Sequence, residues 1–215
     1  MQDIKAVLFD MDGVLVDSEP VILEAAMRGL AEYGVTAQPE DFVPFIGAGE
    51  DRFIGGVAQK YGKPYQLEMK KRVYDIYDTI VDDKIKVYKD VTKTLQTLRD
   101  KGYKLALTSS ADRRKVLSNL KAAKIPTALF DLLLSADEVT NKKPDPEVYL
   151  LAAKELGLPN AQCVVVEDAV NGVKAGQGAG SKTIGLTTTF SREIMVEAAP
   201  DVILGEMSEI LKLLA

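Results

Sequence analysis

Three short runs of uninterrupted apolar residues, each ending on acidic or hydroxyl side chains, constrain the fold of this chain more than any other feature. They are Ala6-Val7-Leu8-Phe9-Asp10, Leu105-Ala106-Leu107-Thr108-Ser109 and Val164-Val165-Val166-Glu167-Asp168. A strand with one face in water alternates apolar and polar residues. These runs do not alternate, so they read as strands buried on both faces, the pattern of a parallel sheet covered by helices. Weaker runs at Leu132–Leu134, Thr183–Leu186 and Val202–Leu204 extend the sheet, and helix-like segments lie between most of them. The layout is α/β, with the strand C-termini gathered along one edge, where open parallel sheets bind ligands.

From about Val21 to Asp83 the pattern changes to a helical one with few strand signals, as in Val21–Arg28 and Lys70–Tyr77. This segment reads as a helical insertion after the first strand, with hinges near Asp17 and near Lys84 to Tyr88. The expected organisation is a discontinuous core, 1–16 and 88–215, around an all-helical unit, 17–87. At 215 residues the chain is long enough for one full core and a small second unit.

Composition narrows the chemistry. A net charge of -5 disfavours nucleic acid and anionic membrane as partners, and no local basic patch reverses it. No apolar run approaches the length of a membrane span, and the N-terminus carries no secretory pattern, so the expected location is cytoplasmic. No heptad or broad apolar stripe demands a partner, so a monomer or weak dimer is expected. The single cysteine, Cys163, excludes an internal disulfide and multi-cysteine metal motifs. The absence of histidine removes Ser-His-Asp and Cys-His nucleophile systems and histidine zinc sites. Carboxylates, Lys, Arg, Ser or Thr must carry the reaction, with a hard oxygen-bound metal as their natural companion.

The strand ends supply such groups. Asp10 and Asp12, at i and i+2 past a strand and followed by Gly13, can both reach one site where the chain leaves its pleat. One carboxylate can form an acyl phosphate, and the other can protonate a leaving alcohol and later deprotonate water. Read alone, the pair is a polar turn. Ser109, with Ser110 beside it, offers a hydroxyl to a phosphate oxygen, although a lone serine there is more often a cap. Lys143, in Lys142-Lys143-Pro144-Asp145-Pro146-Glu147, offers a positive charge to a transferring phosphoryl group. A lone lysine pair would be solvated. Asp145 as N-cap and Pro146 at the first helical position account for the rest of that motif. Glu167 and Asp168 are placed to hold Mg²⁺, which accepts few protein ligands when substrate and water complete its octahedron.

Taken together, these motifs resemble the haloacid dehalogenase superfamily, in the branch similar to β-phosphoglucomutase and phosphosugar phosphatases. Asp10-Met11-Asp12-Gly13-Val14, Ser109, Lys143-Pro144-Asp145-Pro146 and Glu167-Asp168-Ala169-Val170-Asn171-Gly172 match its four motifs in order, across nearly the whole chain. The resemblance implies a Rossmann-like core with a helical cap, Asp10 as nucleophile and Asp12 as acid and base. It also implies Mg²⁺ held by the Asp10 side chain, the Asp12 backbone carbonyl and Asp168, with Glu167 supporting. The implied activity is a phosphatase acting on small phosphorylated metabolites such as sugar phosphates. A phosphosugar mutase and a non-catalytic phospho-accepting or metabolite-binding module are the alternatives.

Departures from the family pattern discriminate among these. Mutases carry a hinge histidine where this chain has Ile22, which favours hydrolysis. Dehalogenases lack the second aspartate, and Asp12 is present. Lys89-Asp90 replaces the usual Pro-Gly, which is expected to alter a turn and leave the chemistry alone. In the cap loop, Gly47 and Gly49 permit close approach, and Arg52 is a candidate substrate reader set against a surface role. Gly176-Gln177-Gly178-Ala179-Gly180 follows a helix and reads as a helix ending, not a dinucleotide loop. Tyr74 and Tyr77 read as cap packing, Cys163 as core, and Lys84, Lys86 and Lys89 as solvated.

Overall fold

The structure, a computed structural model, describes residues 1, 3–47 and 49–214. Strand β1 (Ala6–Phe9) and the two-residue β2 (Val16–Asp17) lead into three helices, α1 (Glu19–Ala31), α2 (Glu50–Lys60) and α3 (Leu67–Lys84), before β3 (Lys86–Val87) returns the chain. Then follow α4 (Val91–Asp100), β4 (Lys104–Thr108), α5 (Arg113–Ala122), β5 (Leu132–Leu134), α6 (Glu147–Glu155) and β6 (Cys163–Glu167). The chain ends with α7 (Val170–Gly178), β7 (Lys182–Leu186), α8 (Arg192–Glu197), β8 (Val202–Leu204) and α9 (Ile210–Leu213).

Six strands form one parallel sheet in the order β5-β4-β1-β6-β7-β8. The missing alternation has a simple cause, because each central strand is buried on both sides. Val7, Phe9, Leu105, Leu107, Val164 and Val166 pack into one cluster with α4 and α5. Their neighbours Ala6, Leu8, Ala106, Cys163 and Val165 pack into another with α6 and α7. Cys163 is therefore a core residue, as expected.

The helical segment builds a cluster of its own from Val21, Ile54, Val73, Tyr77 and their neighbours. It is not one continuous helical run. Short 3₁₀ turns at Pro39–Asp41 and Val43–Phe45 and positive φ at Gly47 and Gly49 break it between α1 and α2. The two crossings between this segment and the sheet pair as an antiparallel ladder, Val16 with Val87 and Asp17 with Lys86. Two-residue strands leave too little pattern to be anticipated from sequence.

Local details follow the turn chemistry. Asp90 takes the left-handed conformation, φ 57°, that glycine usually supplies, so the Lys89-Asp90 replacement leaves this turn with a glycine-like backbone. Gly180, φ 78°, follows the end of α7 as a helix terminator. Helix α6 starts one residue later than expected: Pro146 occupies the N-cap position, and the Asp145 side chain accepts from the Glu147 amide at 3.0 Å. Glu147 in turn accepts from the Thr140 and Asn141 amides, each at 2.8 Å, which pins the loop carrying Lys143.

Candidate active site

The sheet order decides where the functional side chains meet. From β1 the chain order runs through β4 to β5 on one side and through β6 to β8 on the other, so the switch point lies at the C-terminal end of β1. Phe9 is in register with Leu107 and with Val166. The residues after them, Asp10, Thr108 and Glu167, therefore share a level, and Ser109 and Asp168 follow one step beyond. Adjacent strands lie roughly 4.8 Å apart, which brings these side chains into one crevice.

Lys143 closes the crevice from the β5–α6 loop. Its ammonium donates to Asp10 Oδ1 and Glu167 Oε1, each at 2.6 Å, and to the Thr108 carbonyl at 3.1 Å. All three of its protons are used, and its side chain is only 5% exposed. Burial pushes its pKa down, but Asp10 and Glu167 outweigh this and hold it well above the ordinary lysine range. A solvated lysine is thereby excluded.

Asp10, Glu167 and Asp168 each place a carboxylate oxygen within 4.8 Å of the others. Burial raises the Asp10 carboxyl to about 7, against the lowering effect of Lys143 and reinforced by Glu167 and Asp12. Burial and then the charges of Glu167 and Asp10 also raise Asp168 well above its ordinary value. Glu167 is fully engaged: Oε1 accepts from Lys143 and Tyr149, and Oε2 from the Asp168 and Ala169 amides. Buried anions short of positive charge, all of them hard oxygen donors, fit a divalent cation of the Mg²⁺ kind. Two motif glycines make the cluster sterically possible. A Cβ at Gly13 would lie 1.8 Å from Asp168 Oδ2, and one at Gly172 would lie 1.8 Å from the Glu167 carboxyl.

Asp12 is held separately. Its Oδ1 accepts from Ser18 and, at 3.3 Å, from Asn119 Nδ2; its Oδ2 accepts from Lys115 at 3.1 Å. Lys115 and Asn119 lie on α5, and both are tied to the helical segment. The Tyr77 hydroxyl of α3 donates to Asn119 Oδ1, and Lys115 lies 3.4 Å from Glu50 Oε1 of α2. Tyr77 is thus packed as expected but also carries a polar contact. Sequence reading missed Ser18, Lys115, Asn119 and Glu50. The available signal was Lys115 and Asn119 at i, i+4 beside Val116 and Leu120, two polar residues on an apolar helix face.

Asp10, Asp12, Ser109, Ser110, Lys143, Glu167, Asp168 and Gly47 all line one cavity. Ser109 is buried, and its Oγ accepts from the Ala111 amide at 3.1 Å, leaving its proton free for a ligand. Arg52 lines none of the cavities around these residues and is exposed. It stands two residues beyond Glu50 on α2, about 200° around the helix, so a helix that turns Glu50 inward turns Arg52 out. Among the described residues, no helix is long and apolar enough to cross a membrane.

Comparison with known proteins agrees with this architecture. Residues 7–186 match the model of the haloacid dehalogenase-like hydrolase family. The chain is 35% identical over 190 residues to a phosphorylated carbohydrates phosphatase of Thermotoga maritima, covering 84% of this chain and 83% of that protein. It is 42% identical over 211 residues to SUPPRESSOR OF QUENCHING 1, a chloroplastic protein of Arabidopsis thaliana, covering 96% of this chain but only 20% of that protein's length. The solved structure of a predicted phosphoglycolate phosphatase from Haemophilus somnus superimposes with a TM-score of 0.88 over all of both chains, at 25% identity.

Proposed function

The chain belongs to the haloacid dehalogenase-like hydrolase family, and on that premise we propose that it is a Mg²⁺-dependent phosphatase of small phosphorylated metabolites working through an aspartyl-phosphate on Asp10. The observation that carries this reading is the division of the crevice. One carboxylate, Asp10, is held by a buried lysine beside Glu167 and Asp168, while a second, Asp12, is held apart by its own donors.

In the first step an Asp10 oxygen attacks phosphorus in line, the Asp10–phosphorus bond forms, and the ester bond to the leaving oxygen breaks. Asp12 gives that oxygen a proton. In the second step Asp12 takes a proton from water, whose oxygen attacks phosphorus and releases phosphate and free Asp10. The Ser18 hydroxyl, on Asp12, can donate or accept and so follow the change of protonation. Lys143 and Ser109 stabilise the equatorial oxygens. Asp10, Asp168 and the Asp12 carbonyl, with Glu167 in support, would hold Mg²⁺, which when bound would supply the charge that screens one anion approaching another. The helical unit, residues 17–87, acts as a cap pivoting on the β2–β3 ladder and excludes bulk water on closing. Ile22 lines the cavity beside Asp12 and offers no proton carrier, which favours release of phosphate over its return to a sugar.

A test follows from the buried carboxylates. Folding raises Asp10 and Asp168, so in the metal-free chain these two groups bind protons more readily folded than unfolded, and the stability they contribute grows as pH falls from about 7 toward 4. Mg²⁺ competes with those protons. At a hundredfold excess over its dissociation constant it is expected to stabilise by about 2.7 kcal/mol, roughly 5–10 °C in Tm, at pH 8. This gain is expected to shrink toward pH 5, and chelator is expected to stop phosphate release from sugar phosphates. A Tm indifferent to Mg²⁺, with release unaffected by chelator, contradicts the proposal.

A further inference from the structure

The cavity around Asp10 continues into a second one beside the helical segment, and Asp12, Ser18, Glu19, Ile46, Gly47 and Ser110 line both. With phosphorus at Asp10 and the leaving oxygen at Asp12, the leaving group extends into this second space. Its apolar walls are Ile22, Phe45 and Phe53, and its polar groups include Glu50 and Lys115. Glu50 is 6% exposed, and its Oε2 has no hydrogen-bond partner among the described residues. A buried carboxylate oxygen without a donor is costly, and such an atom in a native protein calls for a partner from outside the chain.

The charges of the two cavities say what that partner is. Their lysines, Lys143 and Lys115, are each already shared between two carboxylates, Asp10 and Glu167 for the first, Asp12 and Glu50 for the second. Glu19 adds another carboxylate to both walls. A leaving group carrying its own phosphate or carboxylate meets three carboxylates there, Asp12, Glu19 and Glu50, and no uncommitted cation among the described lining residues. A leaving group rich in hydroxyls supplies the donors, and its C–H faces pack on Ile22, Phe45 and Phe53.

We propose that Glu50, oriented by Lys115, determines specificity by accepting a hydrogen bond from a hydroxyl of the leaving group, so that the preferred substrate is the phosphate monoester of a sugar or polyol. The inference rests on the phosphatase reading above. The test compares glucose 6-phosphate and glycerol 3-phosphate with phosphoglycolate, pyrophosphate and phenyl phosphate in the presence of Mg²⁺, for the wild type, Glu50→Ala and the volume-preserving Glu50→Gln. The wild type is expected to turn over the hydroxylated esters with kcat/KM at least about tenfold above either anionic substrate.

In Glu50→Ala kcat/KM for glucose 6-phosphate is expected to fall about 10–100-fold, mainly through KM, and at least about tenfold further than for phenyl phosphate, whereas Glu50→Gln, whose amide oxygen still accepts but carries no charge, is expected to lose less. Equal losses on glucose 6-phosphate and phenyl phosphate, or a wild type that prefers phosphoglycolate or pyrophosphate, overturn the assignment. Should neither variant fold, the wild-type ranking decides. Failure to release phosphate from any ester, phenyl phosphate included, overturns the phosphatase reading itself and this assignment with it; release from phenyl phosphate with an anionic preference overturns only the role of Glu50.

Discussion

Lys143→Met is expected to reduce phosphate release about 10²–10³-fold and to destabilise the fold by about 3–5 kcal/mol, or roughly 10 °C in Tm. The two effects have one origin. The ammonium is the sole protein cation among the described residues in contact with Asp10 and Glu167, and both of those contacts are 2.6 Å long and nearly dry. Removing it leaves the carboxylates buried and repelling one another, with Asp168 beside them. Protonation of Asp10, already raised, would relieve part of the stress and in doing so remove the proposed nucleophile. Mg²⁺ is expected to restore part of the stability but not the rate. Arginine should fail as a substitute, because its planar fork cannot address three acceptors converging on one atom. Thermal unfolding and initial rates, measured on the same preparations, check this. A variant that keeps its rate would mean that Lys143 is a structural cation only.

Asp12→Asn is expected to separate the two halves of the proposed reaction. With a sugar phosphate, whose leaving oxygen needs a proton, kcat is expected to fall about 10²–10⁴-fold. With p-nitrophenyl phosphate the leaving group departs without help, so formation of the proposed aspartyl-phosphate is expected to persist while its hydrolysis, lacking a base, is expected to slow. The expected result in stopped flow is a burst of p-nitrophenolate equal to the enzyme concentration, followed by slow turnover. Equal losses on both substrates and no burst would contradict the assignment of Asp12. Ser18, Lys115 and Asn119 surround the Asp12 carboxylate, and asparagine keeps the shape that these donors enclose.

The buried strands were legible because parallel strands covered on both faces leave an unbroken apolar signature, and a residue just past such a strand has one place to go. Asp10, Ser109, Glu167 and Asp168 followed from that. Lys143 was legible through the motif around it, since a lysine by itself says nothing about burial. What escaped was everything contributed by helix faces. Glu50, Lys115 and Asn119 lie in segments whose polar residues look solvated, and only the docking of α2 and α3 against α5 turns them toward Asp12. Arg52 was the candidate in place of Glu50 because charge and proximity in sequence do not reveal which side of a helix faces the site. The breaks between α1 and α2 depended on glycines and prolines whose effect on chain direction is not fixed by periodicity.

The central claim, a covalent phosphoryl intermediate on Asp10, is tested most directly by acid-quenching the Asp12→Asn protein during turnover of a radiolabelled phosphate monoester with Mg²⁺ and mapping the label. The account predicts label on the peptide containing Asp10, lost in base, and neither label nor phosphate release when Asp10→Asn is added. Sustained release by the Asp10→Asn protein, or turnover by wild type with no label ever appearing on the Asp10 peptide, would contradict it.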